Sequence, residues 1–195
     1  MKLIFATNNH NKVLEIKSAL PKELEIISLK EAGIVIDIPE PHNTLEANAT
    51  EKSTVIHKLT NTNCFSEDTG LEVAALQGEP GVRSARYAGD DADNKKNIAL
   101  LLQNMNNIEN RAAQFKTVIS LILNDNEYQF VGICKGKIIT KEIGNKGFGY
   151  DSIFVPDGDT RTFAEMEMED KNKYSHRKKA LEKLIEFLNK KDFRR

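Results

Sequence analysis

Carboxylates at two places in the sequence, with a lysine near one of them, are of the types that metal-assisted phosphate chemistry uses. Glu67 and Asp68 are neighbours in "SEDTG", and Glu40 lies in the loop before a predicted helix that carries Lys52. Mg²⁺ is usually held by one or two carboxylates, with waters and a substrate phosphate completing its coordination. A carboxylate beside the ion can accept a proton from an attacking water. Adjacent carboxylates at a turn also commonly accept hydrogen bonds from local N–H groups, so both interpretations stay open.

The stretch "TNNHNK", residues 7–12, has the composition of a phosphate-binding loop. It follows the apolar segment "LIFA" and precedes a helical pattern that begins at Val13. Short strand-to-helix loops of α/β proteins lie at the carboxyl edge of the sheet, where the next helix directs its unpaired N–H groups and positive dipole end. A lysine at the same place adds a full positive charge, which favours a phosphate ligand. An Asn-rich turn with an ordinary helix cap explains the stretch equally well.

A lysine and an asparagine lie on the apolar face of the helix predicted for residues 44–60. At about 100° per residue, Lys52 falls within that face and Asn48 lies one turn before it. The apolar residues of the face are Leu45, Ala49, Ile56 and Leu59. An unpaired buried ammonium is unfavourable by several kcal/mol, so Lys52 either extends to water or meets an anion in a cleft. The polar Asn48 on the same face slightly favours the anion.

The stretch "NKGFGYDSIF" combines features that suit a nucleotide base. Gly147 and Gly149 allow the backbone to approach a ligand, and Phe148 or Tyr150 can stack on a flat ring. A bulged strand with core aromatics accounts for the same residues, and this alternative stays open.

Two predicted helices begin with charged residues, basic ones in the first case and acidic ones in the second, and the two cases have different explanations. Ser175 is a normal N-cap, but His176 and Arg177 follow it at the positive end of the helix dipole, where basic side chains are mildly unfavourable. Their position indicates that another group recruits them. The acidic run "DDAD" at 90–93 precedes a helix whose first turn favours acids, so we prefer capping over a metal cluster there.

A mixed α/β fold has to position these candidate residues, because parallel-type units are followed by an antiparallel meander. Helices are predicted at 13–20, 44–60, about 93–105 and 176–190, with a short one from the capping-box sequence at 162–165. Strands are predicted from residue 2, at 25–29, at 63–66 before the "SEDTG" turn, and with period two at 115–123, 128–136 and 137–143.

The composition of the 195 residues is that of an ordinary globular protein. Acidic and basic residues number 29 and 28, which gives no reason to expect a nucleic-acid or membrane partner. A strand from residue 2 leaves no room for a secretory signal, and no apolar run approaches the length of a membrane span. Cys64 and Cys134 lie in apolar, strand-like surroundings and are expected to be reduced. We therefore expect one domain, residues 1–195, in the cytoplasm.

Six stretches, in this order, resemble the inosine triphosphate pyrophosphatase family, whose members hydrolyse deaminated purine nucleoside triphosphates. They span nearly the whole chain: "TNNHNK" at 7–12, the pattern E-x3-T-L-x2-N-A-x2-K at 40–52, "SEDTGLEV" at 66–73, "PGVRSARYAG" at 80–89, "GFGYDSIF" at 147–154 and K-x3-SHR-x-KAL at 171–181. The departures are Glu67, Thr69, Ser152 and Lys178, where the family commonly has Asp, Ser, Pro and Gly.

The resemblance implies an elongated mixed α/β fold, with two lobes, a long twisted mixed β-sheet and an active-site cleft between the lobes, in a homodimer. Glu40 and Asp68 would bind Mg²⁺, and Asp68 would be the catalytic proton acceptor. The residues implied to hold the triphosphate are Thr7, Asn9, Lys12 and Lys52. Phe148 would stack on the base, and the residues implied to read the base edge are Lys171, His176 and Arg177. The other residues implied to bind substrate are Asn8, Thr69, Gly149, Tyr150 and Asp151.

These roles predict Mg²⁺-dependent attack of water at the α-phosphate of inosine, deoxyinosine or xanthosine triphosphate, which releases the monophosphate and pyrophosphate and so cleanses the nucleotide pool. Donors that meet the 6-oxygen of these bases would disfavour adenine, whose amino group leaves them unsatisfied. One alternative is a Maf-like nucleotide pyrophosphatase, against which the "SHR" segment argues. The other is a non-catalytic nucleotide-binding protein, against which the retained carboxylates argue.

Overall fold

The computed structural model describes residues 2–21 and 24–190. Its helices and strands, in chain order, are β1 Lys2–Phe5, α1 His10–Ser18, β2 Glu25–Ser28, α2 Leu45–Thr60, β3 Cys64–Val73, β4 Pro80–Gly81, α3 Asn94–Asn104, β5 Ala112–Leu123, β6 Asn126–Ile138, β7 Phe154–Pro156, α4 Met168–Tyr174 and α5 His176–Lys190. The strands form a mixed sheet in the order β2-β1-β3-β5-β6-β7, and β4 pairs with β3 outside this path. The predicted mixed α/β class with flanking helices is confirmed.

The chain divides into two compact units, each assembled from separate segments. Among the described residues, unit 1 comprises 2–21, 24–68, 117–132 and 177–190, and unit 2 comprises Thr69–Lys116 and Ile133–His176. None of the helices in the described part of the chain has both the length and the apolar character that crossing a lipid bilayer requires.

In unit 1, β1 runs parallel to both β2 and β3, with Phe5 opposite Ser28 on one side and opposite Phe65 on the other. Because the strands run parallel, the loop that follows Phe5 emerges beside the part of β3 that follows Phe65. Side chains of β1 alternate between the two faces of the sheet, and each face is covered by its own apolar cluster. The Phe5 and Phe65 rings stack with their centres 4.5 Å apart, which fixes the two strands next to each other.

In unit 2, the core is built around aromatic side chains. Phe115, Phe154 and Phe163 are buried and contact one another, and Tyr150 belongs to the same cluster. β7 pairs antiparallel with the end of β6, where Gly136 lies opposite Pro156. A Cβ at Gly136 would overlap the neighbouring backbone, so a glycine is needed for this close pairing.

Two predicted strands are wrong because pairing with other strands decides their extent. The strand predicted at 63–66 continues to Val73 as β3, since its second half pairs with β4. The strand predicted at 137–143 does not form as such: β6 itself runs to Ile138, where it pairs with β7.

The predicted helices agree with the structure better than the predicted strands do, and their errors are local. α1 ends at Ser18 instead of residue 20, and Leu59, which is predicted on the apolar face of its helix, is exposed. Asp93 is the N-cap of α3, where its side chain accepts hydrogen bonds from two backbone N–H groups. The capping interpretation of residues 90–93 is confirmed.

Candidate functional site

Residues 7–12 form a capped turn at the carboxyl end of β1. The Asn9 side chain accepts hydrogen bonds from the N–H groups of Asn11 at 3.0 Å and Lys12 at 3.2 Å, so Asn9 is the N-cap of α1. The Thr7 hydroxyl in turn accepts a hydrogen bond from the Asn9 N–H at 3.2 Å. The capping alternative is confirmed. The Lys12 ammonium, the Thr7 hydroxyl hydrogen and the side-chain amide of Asn9 are donors that suit a phosphate, and their predicted contact with the triphosphate stays a prediction.

The Asn8 side chain connects two loops and does not cap the helix. Its side-chain amide donates a hydrogen bond to the carbonyl of Ile36 at 2.8 Å, which ties the loop after β1 to the loop that leads towards α2. Its contribution in this structure is therefore to loop shape, and its predicted contact with substrate stays a prediction.

Lys52 is buried on α2, and its ammonium is shared by two carboxylates. Its Nζ lies 2.6 Å from Oε1 of Glu40 and 2.8 Å from Oδ1 of Asp68, and only 5 % of the residue is exposed. The anion interpretation of the inward-facing lysine is confirmed. The loop before α2 and the strand β3 thus bring one carboxylate each to the same point.

The charges in this group change one another's proton affinity. Burial by itself disfavours the charged ammonium, but Asp68 and Glu40 attract it strongly enough to raise the pKa of Lys52. The pKa of Asp68 is also raised, because its own burial outweighs the attraction of Lys52 and Lys12. A raised pKa makes the Asp68 carboxylate a stronger base than an exposed aspartate.

Asn48 holds the loop that carries Glu40. Its Oδ1 accepts a hydrogen bond from the His42 N–H at 2.9 Å, and its Nδ2 donates to the His42 carbonyl at 3.1 Å. Since Glu40 is two residues before His42, this pair of bonds fixes the approach of the carboxylate to the helix. The inward-facing asparagine is a structural residue, a role that the sequence did not indicate.

Glu67 and Asp68 form different ion pairs, because both lie on a strand and successive strand side chains point to opposite faces. Glu67 accepts hydrogen bonds from Arg177, whose Nε and Nη2 lie 2.7 and 2.9 Å away, and from Lys12, whose Nζ is 3.1 Å from Oε1. Arg177 also donates through Nη1 to Glu15. Burial alone would raise the pKa of Glu67, but Arg177 and Lys12 lower it to about 2, so this carboxylate is ionised.

In unit 2, Lys171 forms a buried ion pair with Asp151 beside two aromatic rings. Its Nζ lies 2.5 Å from Asp151 Oδ2, and the same oxygen accepts a hydrogen bond from the Phe148 N–H at 3.0 Å. The ammonium is 5.6 Å from the centre of the Phe148 ring and 5.2 Å from that of Phe163, within the range of cation–π attraction. Asp151 therefore orients both the backbone of Phe148 and the Lys171 ammonium.

Two glycines permit this turn for different reasons. Both adopt left-handed backbone angles, with φ of +72° at Gly147 and +60° at Gly149. A Cβ at Gly147 would overlap the Asp151 carboxylate, whereas a Cβ at Gly149 would meet nothing within 4 Å. Gly147 is thus required by the position of Asp151, and Gly149 by backbone conformation alone.

The other residues predicted to read the base or bind substrate, His176, Tyr150 and Thr69, are buried or half-buried. His176 is buried, with its ring stacked on Phe115 at 4.7 Å and 14°. The Tyr150 hydroxyl donates to the Ser84 carbonyl at 2.8 Å inside the core, which supports the core-aromatic alternative for this side chain. Thr69 follows Asp68 on β3 and is half-buried.

The donor set in unit 1 fits Mg²⁺ completed by a substrate. Among the described residues, no group of three or more His, Cys, Asp or Glu side chains is arranged to hold a metal ion by itself. Glu40 and Asp68 supply two carboxylates, which is the number that Mg²⁺ commonly takes from protein when waters and phosphate oxygens fill the other positions. These residues therefore fit a metal that arrives with a phosphate ligand.

Comparison with known proteins gives the family. The model of the Ham1 family matches residues 3–187. The chain belongs to the Ham1 family. Two curated relatives are named dITP/XTP pyrophosphatase. That of Flavobacterium psychrophilum is 49 % identical over 96 % of this chain and 98 % of its own length. That of Christiangramia forsetii is 48 % identical over 97 % of this chain and 100 % of its own length.

Solved Ham1 structures share the fold over nearly the whole chain. The Ham1 protein of Staphylococcus aureus has a TM-score of 0.88 at 37 % identity and covers 98 % of this chain and 100 % of its own. The HAM1 protein of Coxiella burnetii has the same TM-score at 34 % identity, over 97 % of this chain and 99 % of its own. The predicted family is confirmed, and so is the mixed α/β fold.

In this Ham1-family chain, sequence reasoning missed the buried Glu15 and the pairing of Glu67 with Arg177. Glu15 lies three residues after Lys12, on the same face of α1, between the buried Val13 and Ile16. An acid among apolar helix positions, three residues from a lysine of interest, is the signal that could have indicated it.

Proposed function

We propose that this chain is an Mg²⁺-dependent pyrophosphatase that hydrolyses deaminated purine nucleoside triphosphates to the monophosphate and pyrophosphate. Two observations support the proposal. Relatives that match this chain over nearly their whole length are named dITP/XTP pyrophosphatase, and the carboxylates and lysines of unit 1 suit the chemistry. The observation that carries the proposal is the convergence of Glu40 and Asp68 on the Lys52 ammonium. Inosine, deoxyinosine and xanthosine triphosphates are the proposed substrates.

The proposed chemistry in unit 1 is neutralisation of phosphate charge and activation of water. Glu40 and Asp68 would hold Mg²⁺, which supplies electrophilic assistance at phosphate oxygens when bound. Asp68 would also accept the proton of the attacking water, because its carboxylate would lie beside the ion. Lys52 and Lys12 would meet the negative oxygens of the triphosphate, and the Thr7 hydroxyl would donate to one of them.

The proposed recognition of the base lies with unit 2. Phe148 would stack on the purine, while the ammonium of Lys171 and the imidazole of His176 would donate to its 6-oxygen. Adenine carries an amino group at that position, and each buried donor left unsatisfied costs about 1–3 kcal/mol. The predicted base-reading role of Arg177 stays a prediction, since its guanidinium donates to carboxylates of unit 1 in this structure.

The test is the release of pyrophosphate from inosine, xanthosine, guanosine and adenosine triphosphates, with and without Mg²⁺. We expect rapid release from the inosine and xanthosine nucleotides in the presence of Mg²⁺ and little without it. Preference for pyrimidine or modified nucleotides would favour a Maf-like enzyme, and binding without release would favour a non-catalytic nucleotide-binding protein. The predicted homodimer is checked on the same preparation by analytical ultracentrifugation.

A further inference from the structure

The buried carboxylate of Glu67 is divided between two cations. Arg177 donates to both of its oxygens, through Nη2 to Oε1 and through Nε to Oε2, and Lys12 approaches Oε1 at 3.1 Å. The Glu67 side chain has no exposed surface, and the Lys12 side chain retains 15 % of its own. Glu67 thus joins a fully buried arginine to a lysine that reaches the surface.

Arg177 is itself fixed from a second side. Its Nη1 donates to Glu15, which lies on α1 three residues after Lys12. An arginine bound to one carboxylate through two parallel donors and to another through a third has little freedom to rotate. Arg177 therefore connects the start of α5 to β3 and α1 with a defined geometry.

This geometry restricts a side chain that is otherwise flexible. A lysine ammonium sits on four rotatable methylene groups, and ordering it when a ligand arrives costs free energy of binding. The contact with Glu67 uses one of the three N–H donors of Lys12 and leaves the ammonium capable of further hydrogen bonds. A lysine already directed in this way binds a phosphate oxygen with less loss of entropy.

We propose that Glu67 is a positioning residue: Arg177 fixes its carboxylate, and Glu67 in turn holds the Lys12 ammonium in the direction of a polyphosphate. The inference rests on the proposed function for the identity of the ligand. It gives Glu67 a role distinct from that of the adjacent Asp68. It also makes Arg177 a residue that acts through Glu67 on the phosphates.

A double-mutant cycle between Glu67 and Lys12 tests this link. The probe is inorganic tripolyphosphate without added metal, titrated calorimetrically against the full chain, so that neither base recognition nor catalysis enters the measurement. We expect Glu67→Gln and Lys12→Met each to weaken tripolyphosphate binding about tenfold, the scale of one charge-assisted hydrogen bond. The double variant should bind no more weakly than Lys12→Met alone, because Glu67 has no lysine left to position.

The matched control is the exposed pair Lys17 and Glu31, in which a lysine of the same helix contacts a glutamate at 2.6 Å. Glu31→Gln should leave tripolyphosphate affinity unchanged. If the effects of Glu67→Gln and Lys12→Met multiply in the double variant, or if Glu67→Gln binds like the unaltered chain, the inference is overturned.

A second cycle keeps the test decisive if Glu67→Gln does not fold. Glu15→Gln removes a carboxylate that contacts Arg177, and it should weaken tripolyphosphate binding severalfold in the native chain but not in the Lys12→Met chain. An equal loss in both backgrounds would overturn the inference. Failure of the unaltered chain to release pyrophosphate from any purine nucleotide would refute the proposed function separately, since the tripolyphosphate cycles do not depend on turnover.

Discussion

Unit 1 and unit 2 hold their buried cations in different surroundings. In unit 1, Lys52 lies between two carboxylates, and Arg177 also lies between two. In unit 2, Lys171 pairs with Asp151 and has aromatic rings on its other sides. A lysine among carboxylates suits a site for a metal ion and phosphates, whereas an ammonium beside a ring suits a flat, polar base.

The difference implies that substitutions in the two units should affect different measurable quantities. Under the proposed function, changes in unit 1 would alter the charge that a triphosphate and its metal ion meet, so they should change turnover or phosphate affinity for every nucleotide. Changes in unit 2 alter a ring and the donors next to it, so they should change the preference between bases. A variant of unit 1 that changes only the base preference, or a variant of unit 2 that changes only phosphate affinity, would contradict this division of roles.

The largest effect is expected for Asp68→Asn. Loss of the proposed proton acceptor should reduce pyrophosphate release by about 100-fold or more for all purine triphosphates, which is the usual contribution of a general base. Asp125→Asn, which changes an exposed acid of unit 1, is the matched control and should keep normal turnover. Near-normal turnover of a folded Asp68→Asn chain, judged by circular dichroism, would refute the assignment.

The next largest effect is expected for the double substitution Lys171→Met with Asp151→Asn. Both charges are removed together because a lone buried carboxylate would destabilise unit 2 by several kcal/mol. The preference for inosine over adenosine triphosphate, measured as the ratio of kcat/KM values, should fall about tenfold. Tripolyphosphate affinity should stay the same, and an unchanged base preference would contradict the role of Lys171.

A smaller effect is expected for Gly147→Ala, compared with Gly149→Ala. Both substitutions strain a left-handed backbone position, but only the methyl group at 147 overlaps the Asp151 carboxylate. We expect Gly147→Ala to lower the free energy of unfolding by about 1–3 kcal/mol more than Gly149→Ala and to raise KM for inosine triphosphate. Thermal unfolding and steady-state kinetics check both, and equal effects of the two variants would show that the carboxylate moves freely.

The smallest effect is expected for Glu31→Gln, at the exposed pair of unit 1. The hydrogen bond from Lys17, together with those from Ser28, lowers the pKa of Glu31 from 4.5 to about 2. Its folded pKa lies below the unfolded one, so its contribution to stability is present above about pH 4.5 and is lost as the pH falls through about 2. The Tm of the variant should differ only slightly from that of the native chain at pH 7, because exposed ion pairs contribute little to stability. The two Tm values should converge near pH 2, where Glu31 becomes protonated. A large difference at pH 7 would contradict this.

Local signals in the sequence predicted the helices well. The predicted acidic cap of α3 is present at Asp93, the capping box of Thr162 and Glu165 is present, and α5 covers the predicted residues 176–190. Capping depends on residues within one turn of each other, so it can be read without knowledge of the fold. The extent of β3 was not predictable in this way, because its second half is held by pairing with β4.

The sequence by itself determined which charged residue types the chain carries, that Lys52 faces inward, and the family to which the chain belongs. Only the tertiary structure decided which carboxylate meets which cation. Glu67 and Asp68 are adjacent in the chain, yet β3 continues through both and directs them to opposite faces, one to Arg177 and Lys12 and the other to Lys52. That separation depends on strand pairing and on partners up to 110 residues away, which no local pattern encodes.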